Sequence, residues 1–178
     1  MVHIIMEKGK FGNEKSPGEI GFNNEIERKF LVKSLPENLE QYPCEEIVQG
    51  YLVISEDGSE IRLRKQGDKY FQTFKRGSGK ARQEKEVEIT KDQFASLWDL
   101  TEDKRVEKMK YQIPYENSII ELDIYSGSLE GLASAEVEFE SLQKSNQFEP
   151  PDWFGRDVTD DNRFKNQKLA LYGIPDDY

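Results

Sequence analysis

Charged and apolar residues alternate in short segments that recur along most of the chain. In the first segment Glu25, Glu27 and Lys29 share one parity, whereas Ile26 and Phe30 share the other. Because successive side chains of a β-strand point to opposite faces, this pattern predicts a strand with one charged and one apolar face. The chain is therefore expected to form a sheet that collects charge on one side.

Similar segments follow at short intervals and are separated by turn-forming pairs such as Asp57-Gly58 and Glu116-Asn117. They lie at about 46–54, 59–66, 69–76, 82–90, 105–114, 118–126 and 132–142. Together with the first segment they make eight short strands in close succession. That number and spacing favour an antiparallel barrel or sandwich.

Helical segments are fewer. One is predicted at about 91–99, with Thr90 as its N-cap, another at about 160–172, and a shorter one after Pro36. Residues 1–22 are irregular and rich in Gly and Lys, so we predict a flexible leader there. Residues 23–178 are predicted to form one domain.

Composition limits the classes of partner. A net charge of −10 disfavours nucleic acid, whose binders are normally basic. No apolar run reaches the ~18 residues that a membrane span requires. A single cysteine, Cys44, excludes an intramolecular disulfide and fits a reducing compartment, so we expect the cytoplasm and no membrane partner.

The signs of the charges are segregated between strands. Bases dominate the third and sixth strands, and acids dominate the fifth, seventh and eighth. The simpler interpretation is that each strand exposes its charged face to water, as antiparallel sheets usually do. Faces that are merely solvated mix signs more freely, however, and this segregation favours charged faces that point into a barrel.

A barrel interior with both signs has a specific chemistry. Carboxylate clusters suit hard cations such as Mg²⁺ or Mn²⁺, and Arg and Lys clusters suit phosphate oxygens. A zinc site or a Ser-His-Asp triad has little support, because the only histidine is His3 and Cys44 is isolated. The interior is thus suited to a polyphosphate that carries a metal ion.

The ordered motifs resemble one family. Glu25-Ile26-Glu27-Arg28-Lys29 is similar to the E-x-E-x-K signature of the CYTH superfamily, also called triphosphate tunnel metalloenzymes. The rest of the family's order follows in Arg62-Leu63-Arg64, Lys75, Glu84 and Glu86, Lys108 and Lys110, Asp123, Ala135-Glu136-Val137-Glu138, and a C-terminal segment with Asp157-Val158-Thr159-Asp160, Arg163 and Asn166. The resemblance spans residues 23 to about 174. It departs from the family where Lys110 replaces the usual Arg, and where the leader is longer.

The resemblance implies a mainly β (α+β) fold: an eight-stranded antiparallel, tunnel-like β-barrel with a charged lumen, a few flanking helices including a C-terminal one, and often a homodimer. It implies divalent-metal-dependent hydrolysis of triphosphates, most simply of inorganic triphosphate with possible nucleoside triphosphatase activity. Class IV adenylate cyclases and thiamine triphosphatases use the same scaffold and stay open as alternatives. A polyphosphate-binding module without turnover also stays open as an alternative.

Site roles follow from the same resemblance and from the chemistry of the side chains. The expected metal ligands are Glu25, Glu27, Asp123, Glu136 and Glu138, while Glu84 and Glu86 bind metal through water or orient the bases. The expected phosphate contacts are Lys29, Arg62, Arg64, Lys75, Lys108 and Lys110, with Arg156 as a candidate for which a surface role is equally consistent. The catalytic set is Glu25, Glu27, Lys29, Glu136 and Glu138.

Two packing expectations complete the hypothesis. The apolar parity should face outward under helices or a partner subunit; its members are Ile26, Phe30, Leu63, Val87, Leu122 and Val137. The final helix is expected to be a lid or wall, and its apolar residues Phe164, Leu169, Leu171 and Tyr172 are expected to pack on the barrel exterior. Glu88 and Glu121, near strand ends, are expected to face solvent.

Overall fold

The computed structural model describes residues 23–76 and 81–178, so the predicted leader at 1–22 lies outside the described residues. Nine strands are formed: β1 Asn23–Val32, β2 Cys44–Ile54, β3 Glu60–Gln66, β4 Lys69–Arg76, β5 Ala81–Ile89, β6 Arg105–Tyr115, β7 Ser118–Ser126, β8 Ala133–Glu138 and β9 Phe154–Asp157. The helices are α1 Lys91–Trp98, α2 Leu142–Gln147 and α3 Asn166–Tyr172. Short 3₁₀ turns occur at Leu39–Gln41, Asp99–Thr101, Gly127–Leu129 and Asn162–Phe164.

All strand pairs are antiparallel, in the order β5-β4-β3-β2-β6-β7-β8-β1-β9. Strand β1 also pairs with β5, through residues 23–26. Ile26 joins the two edges, because its register partner in β5 is Ala81 while its carbonyl accepts a hydrogen bond of 2.8 Å from Phe139 N on the β8 side. Strands β1 to β8 therefore follow one another around a central cavity.

The sequence predicted the type of most elements but missed two. Strand β9 is only four residues long and pairs with β1 through Phe30 and Val32, a contact distant in sequence. The predicted strand at 132–142 was wrong at its end, because β8 stops at Glu138 and the side chain of Ser141 accepts a hydrogen bond from Lys144 N to begin α2. The predicted helix at 160–172 is a 3₁₀ turn followed by α3.

Helix α1 forms as predicted. The Thr90 side chain accepts a hydrogen bond from Gln93 N and the Gln93 side chain accepts one from Thr90 N, which together make a capping box. Its buried Phe94 lies 4.9 Å, between ring centroids, from Tyr70 on β4 and 4.8 Å from Trp98. These contacts attach α1 to the β4 side of the sheet. No helix in the described ranges is both long and apolar enough to span a membrane.

An outer cluster of apolar side chains covers part of the sheet's outer face. Its buried members are Phe30, Ile113, Ile120, Leu122, Ala135, Val137 and Phe154. Phe148, which follows α2, and Trp153 pack against it. The prediction that the apolar side chains of the strands face outward is therefore confirmed for Phe30, Leu122 and Val137. On the strands outside this cluster, Leu63 is fully buried, whereas Val87 is 46% exposed.

An end cluster fills the inner face at one end of the strands. It consists of Leu31, Val106, Tyr125, Leu129, Leu132, Val158, Phe164 and Leu169. Leu31 shares the parity of Lys29, and Tyr125 shares the parity of Asp123, so both belong to the inner face. Phe164 and Leu169 consequently pack inside this end, and their predicted packing on the exterior was wrong. Leu171 and Tyr172 are exposed instead.

Candidate active site

The central cavity has a volume of about 590 Å³ and receives side chains from all eight strands that surround it. Those side chains are Glu27, Lys29, Gln49, Tyr51, Glu60, Arg62, Arg64, Gln66, Phe71, Lys75, Glu84, Glu86, Lys108, Lys110, Glu121, Glu136 and Glu138. Lys165 and Asn166, just before and at the start of α3, complete the lining. The charged parity thus faces the cavity, as the segregation of signs predicted.

The wall formed by β3, β4 and β5 holds two arginines. An Nη of Arg64 lies 2.7 Å from Glu86 Oε2, and the Thr73 hydroxyl donates to the same oxygen at 2.7 Å. The Arg62 guanidinium is more loosely held, at 3.8 Å from Glu60 and 3.9 Å from Glu84. The two acids of β5 therefore lie against bases of β3 and β4.

Both arginines keep donors available. Their Nε atoms are buried and have no hydrogen-bond partner within the described part of the chain. Burial and the neighbouring Arg62 lower the pKa of Arg64. For Arg62, burial also acts to lower the pKa, but Glu60 and the other nearby acids raise it overall. Since buried donors normally find acceptors, this wall is suited to an anion.

Lys75 extends the same wall. Its ammonium lies 2.8 Å from Glu84 Oε2 and its side chain is buried. Glu84 lies opposite Lys75 in the β4–β5 ladder, so the pairing follows directly from strand register. Phe71, also on β4, places its ring 5.5 Å from the Arg64 guanidinium and holds it by a cation–π contact.

The wall formed by β1 and β8 places a base against an acid. Lys29 lies opposite Glu136 in the ladder, and its ammonium is 2.9 Å from Glu136 Oε1. Burial acts to raise the pKa of Glu136, but Lys29, Lys108 and Lys110 lower it well below its usual value. Burial likewise opposes the charge on Lys29, yet Glu136 raises the pKa of Lys29 overall. Both groups are therefore charged at neutral pH.

Lysines from β6 pair with acids of β7. Lys108 contacts Asp123, and Lys110 contacts Glu121. Asp123 is fully buried and lies outside the residues that line the cavity, and its Oδ1 has no hydrogen-bond partner among the described residues. Glu121 lines the cavity, so its predicted solvent position was wrong, whereas Glu88 is exposed as expected.

The predicted metal ligands are distributed unevenly. Glu27 lies directly opposite Glu138 in the β1–β8 ladder, where the Cβ atoms of facing residues are typically about 5 Å apart. Glu25 pairs through its backbone with Arg82, and its side chain lies outside the described residues. Among the described residues, no three Asp, Glu, Cys or His side chains already form a metal-binding group. The facing carboxylates nevertheless supply the oxygen donors that a hard cation prefers.

Arg156 lies apart from the central cavity. It is exposed on β9, 3.3 Å from Asp177 and 5.3 Å from the ring of Phe164. The structure thus gathers the other six predicted phosphate contacts and leaves this one on the surface. Its membership of the site is not supported by this geometry.

Several lining residues were not predicted from the sequence. Glu60 shares the parity of Arg62, so the alternation could have identified it. Gln49 and Tyr51 share the inner parity of β2, but neither is charged, so the alternation of charged and apolar residues gave no signal for them. Asn166 enters the lining only because the end cluster anchors the segment before α3, which no local pattern reveals.

Comparisons with known proteins place this geometry in context. The family model described as CYTH domain matches residues 23–168. An inorganic triphosphatase of Nitrosomonas europaea is 47% identical over 150 residues, which cover 83% of this chain and 97% of that protein. An inorganic triphosphatase of Acetivibrio thermocellus is 36% identical over 153 residues, which cover 82% and 92%.

Solved structures agree with these matches. The crystal structure of an inorganic triphosphatase superposes with a TM-score of 0.64 at 44% identity, covering 83% of this chain and 94% of that one. A protein from Pyrococcus horikoshii, at 18% identity, has a TM-score of 0.53 over 69% of this chain and 84% of its own. At that identity the second similarity concerns the fold alone.

Proposed function

The chain belongs to the CYTH domain family, and from this premise we propose that it hydrolyses inorganic triphosphate to pyrophosphate and phosphate. The observation that carries the proposal is the central cavity itself, in which six bases from β1, β3, β4 and β6 face acids from β1 and β8. Two relatives that match most of this chain are named inorganic triphosphatases. A binding module without turnover would need the bases alone.

The bases would bind the polyphosphate. Arg62 and Arg64 offer buried Nε donors, and Lys75 lies beside them on β4. Guanidinium groups bind phosphate oxygens through paired donors, and ammonium groups bind as point charges. Since several of these bases are already paired with carboxylates, substrate would share or displace those partners. Before substrate enters, the cavity therefore already contains charged groups of both signs, which compensate one another.

We propose Mg²⁺ or Mn²⁺ as the cofactor, held by Glu27 and Glu138 with Glu136 beside them; Glu25 stays a ligand predicted from the sequence. Facing carboxylates on β1 and β8 suit a hard divalent cation. When bound, such a cation would neutralise phosphate charge and polarise the attacking water. It also resolves the conflict between a chain of net charge −10 and an anionic substrate.

The protein itself would fix the position of the substrate and the electric field around it. Water attacks the terminal phosphorus in line with the leaving pyrophosphate, whose oxygens stay bound to the basic wall. Lys29, which lies at the boundary between acids and bases, would contact the phosphoryl group in transfer. Glu84 and Glu86 would hold the bases in place, because each already contacts one of them. Positioning and electrostatics would supply most of the acceleration.

A substrate panel tests the proposal. Purified protein is incubated with tripolyphosphate, ATP and thiamine triphosphate, with Mg²⁺ or Mn²⁺, and the products are followed by ³¹P NMR. We expect tripolyphosphate to give equal amounts of pyrophosphate and phosphate, with slower release of phosphate from ATP. Cyclic AMP with pyrophosphate from ATP would instead establish the cyclase alternative, and tight binding without products would establish the binding module.

A matched pair of variants ties activity to the cavity. Glu86 contacts Arg64 and lines the cavity, whereas Glu88, two residues along β5, is exposed. We expect Glu86→Gln to lower kcat/KM and Glu88→Gln to match the unaltered protein. Homodimer formation and a cytoplasmic location stay predictions from sequence, which gel filtration with light scattering and cell fractionation would test.

A further inference from the structure

The hydroxyl of Tyr125 forms hydrogen bonds with three groups where the central cavity meets the end cluster. It lies 2.7 Å from Asn166 Oδ1, 3.2 Å from Ser134 Oγ and 3.4 Å from Lys29 Nζ. Tyr125 itself is 3% exposed, and its ring belongs to the end cluster. The ring is thus packed in the apolar end, while the hydroxyl projects toward the charged cavity.

The chemistry of the partners fixes the direction of these hydrogen bonds. An ammonium can only donate, so Lys29 donates to the phenolic oxygen. The amide oxygen of Asn166 can only accept, so Tyr125 gives its single proton to Asn166. The phenolic oxygen has a second lone pair, which accepts from the Ser134 hydroxyl. Each of the four groups therefore has a defined role.

This arrangement gives Lys29 a second anchor. One side of its ammonium contacts Glu136 at 2.9 Å, and the Tyr125 oxygen holds another side. The ammonium has three protons, so these two contacts constrain the direction of the third. The Tyr125 ring also lies 5.7 Å from Lys108 Nζ, so the same residue borders two of the proposed phosphate contacts.

We propose that Tyr125 is a positioning residue that orients Lys29 toward the transferred phosphoryl group, and that Asn166 makes this orientation depend on the docked C-terminal segment. The inference rests on the proposed triphosphatase function. Asn166 begins α3, and the residues around it are anchored by Phe164 and Leu169 in the end cluster. The C-terminal segment is therefore part of the active site and not only a packing element.

Removal of one hydroxyl tests the inference with little change in packing. Tyr125→Phe keeps the ring in the end cluster, and Tyr115→Phe is the matched control, since the Tyr115 hydroxyl contacts Glu149 O at 3.5 Å away from the cavity. We expect Tyr125→Phe to lower kcat for tripolyphosphate about tenfold, the factor that corresponds to about 1.4 kcal/mol. KM should change less than twofold, and Tyr115→Phe should behave as the unaltered protein.

A double-mutant cycle separates positioning from a merely structural role. In a Lys29→Gln background, Tyr125→Phe should have no further effect on kcat, because the ammonium it orients is gone. Asn166→Ala should lower kcat as Tyr125→Phe does, and the two together should be no worse than either. The inference would be overturned if Tyr125→Phe lowered kcat equally with Lys29 present and with Lys29→Gln. It would also be overturned if kcat of Tyr125→Phe were within twofold of that of the unaltered protein.

A crystal structure of Tyr125→Phe distinguishes the two levels of the proposal. If the unaltered protein hydrolyses no triphosphate, the proposed function fails, and a displaced Lys29 ammonium in the variant would still support the positioning role. If the unaltered protein is active, and in the variant the Lys29 ammonium keeps its position and kcat is unchanged, the positioning role alone fails.

Discussion

Glu27 of β1 lies directly opposite Glu138 of β8 in the antiparallel ladder, and two residues further along the same strands Lys29 lies opposite Glu136. An acid–acid pair thus adjoins a base–acid pair on one wall of the central cavity. Because facing like charges repel, the first pair is stable only with a counterion or other cationic neighbours. This boundary is where the proposed metal side and phosphate side of the cavity meet.

Neutralising one member of the acid pair should impair metal binding. We expect Glu138→Gln to lower kcat for tripolyphosphate at least a hundredfold and to raise the Mn²⁺ concentration needed for half-maximal rate. Glu140→Gln is the control, since Glu140 is exposed and pairs with nearby Lys144. Steady-state rates across a metal titration give both quantities. Full activity in Glu138→Gln would remove it from the metal site.

Replacing Lys110 tests the basic wall. Its ammonium contacts Glu121 and lines the cavity, but it acts as a point charge. Arginine would present a planar fork that binds two phosphate oxygens at once, so we expect Lys110→Arg to lower KM for tripolyphosphate several-fold. Lys65→Arg on the opposite face of β3 is the control. An unchanged KM would indicate that Lys110 does not contact substrate.

Removing the charge of Asp123 should destabilise the protein more than removing that of Glu121. Asp123 is fully buried against Lys108, and loss of one partner of a buried pair costs about 3–5 kcal/mol. Glu121 is partly exposed, so loss of its pair with Lys110 should cost less. Urea unfolding of Asp123→Asn and Glu121→Gln compares the free energies of unfolding. Equal losses would contradict the difference in burial.

The pKa of Glu136 predicts a pH dependence of stability. Lys29, Lys108 and Lys110 outweigh burial and hold this pKa well below 4.5 in the folded state. A depressed carboxyl pKa stabilises the fold at pH values above the unfolded pKa, and that contribution is lost as pH falls toward the folded pKa. Glu136→Gln should therefore cost most stability near neutral pH and progressively less in acid.

Urea unfolding of both proteins from pH 7 to pH 3, in chelator, measures this difference. The gap between the two free energies of unfolding should narrow below about pH 4.5, where an unfolded glutamate takes up its proton. A gap that is constant with pH would mean that the charge of Glu136 contributes nothing to folding.

Local pattern was sufficient for much of the site. The period of two is a property of the strand itself, so the parity of Glu27, Lys29 and Arg62 already placed them on one face. Strand register then explains pairs such as Lys75 with Glu84. The same rule applies to Glu60, which shares the parity of Arg62 and lines the cavity.

The missed features depend on contacts between distant parts of the chain. Strand β9 is too short to show a period, and it exists because β1 offers it an edge. The burial of Phe164 within the end cluster depends on Leu31 and Val106, far away in sequence. Asp123 has the parity of a lining residue, but Lys108 covers it, and only side-chain packing decides which of two inner residues reaches the cavity.

We propose that the charged cavity hydrolyses triphosphate only when divalent cations balance its acids. The most direct test is ³¹P NMR of tripolyphosphate with the purified protein, first with Mg²⁺ or Mn²⁺ and then after addition of excess EDTA. We expect equimolar pyrophosphate and phosphate with metal, and no turnover and negligible calorimetric binding of tripolyphosphate in EDTA. Undiminished turnover in EDTA, or no turnover with either metal, would contradict the proposal.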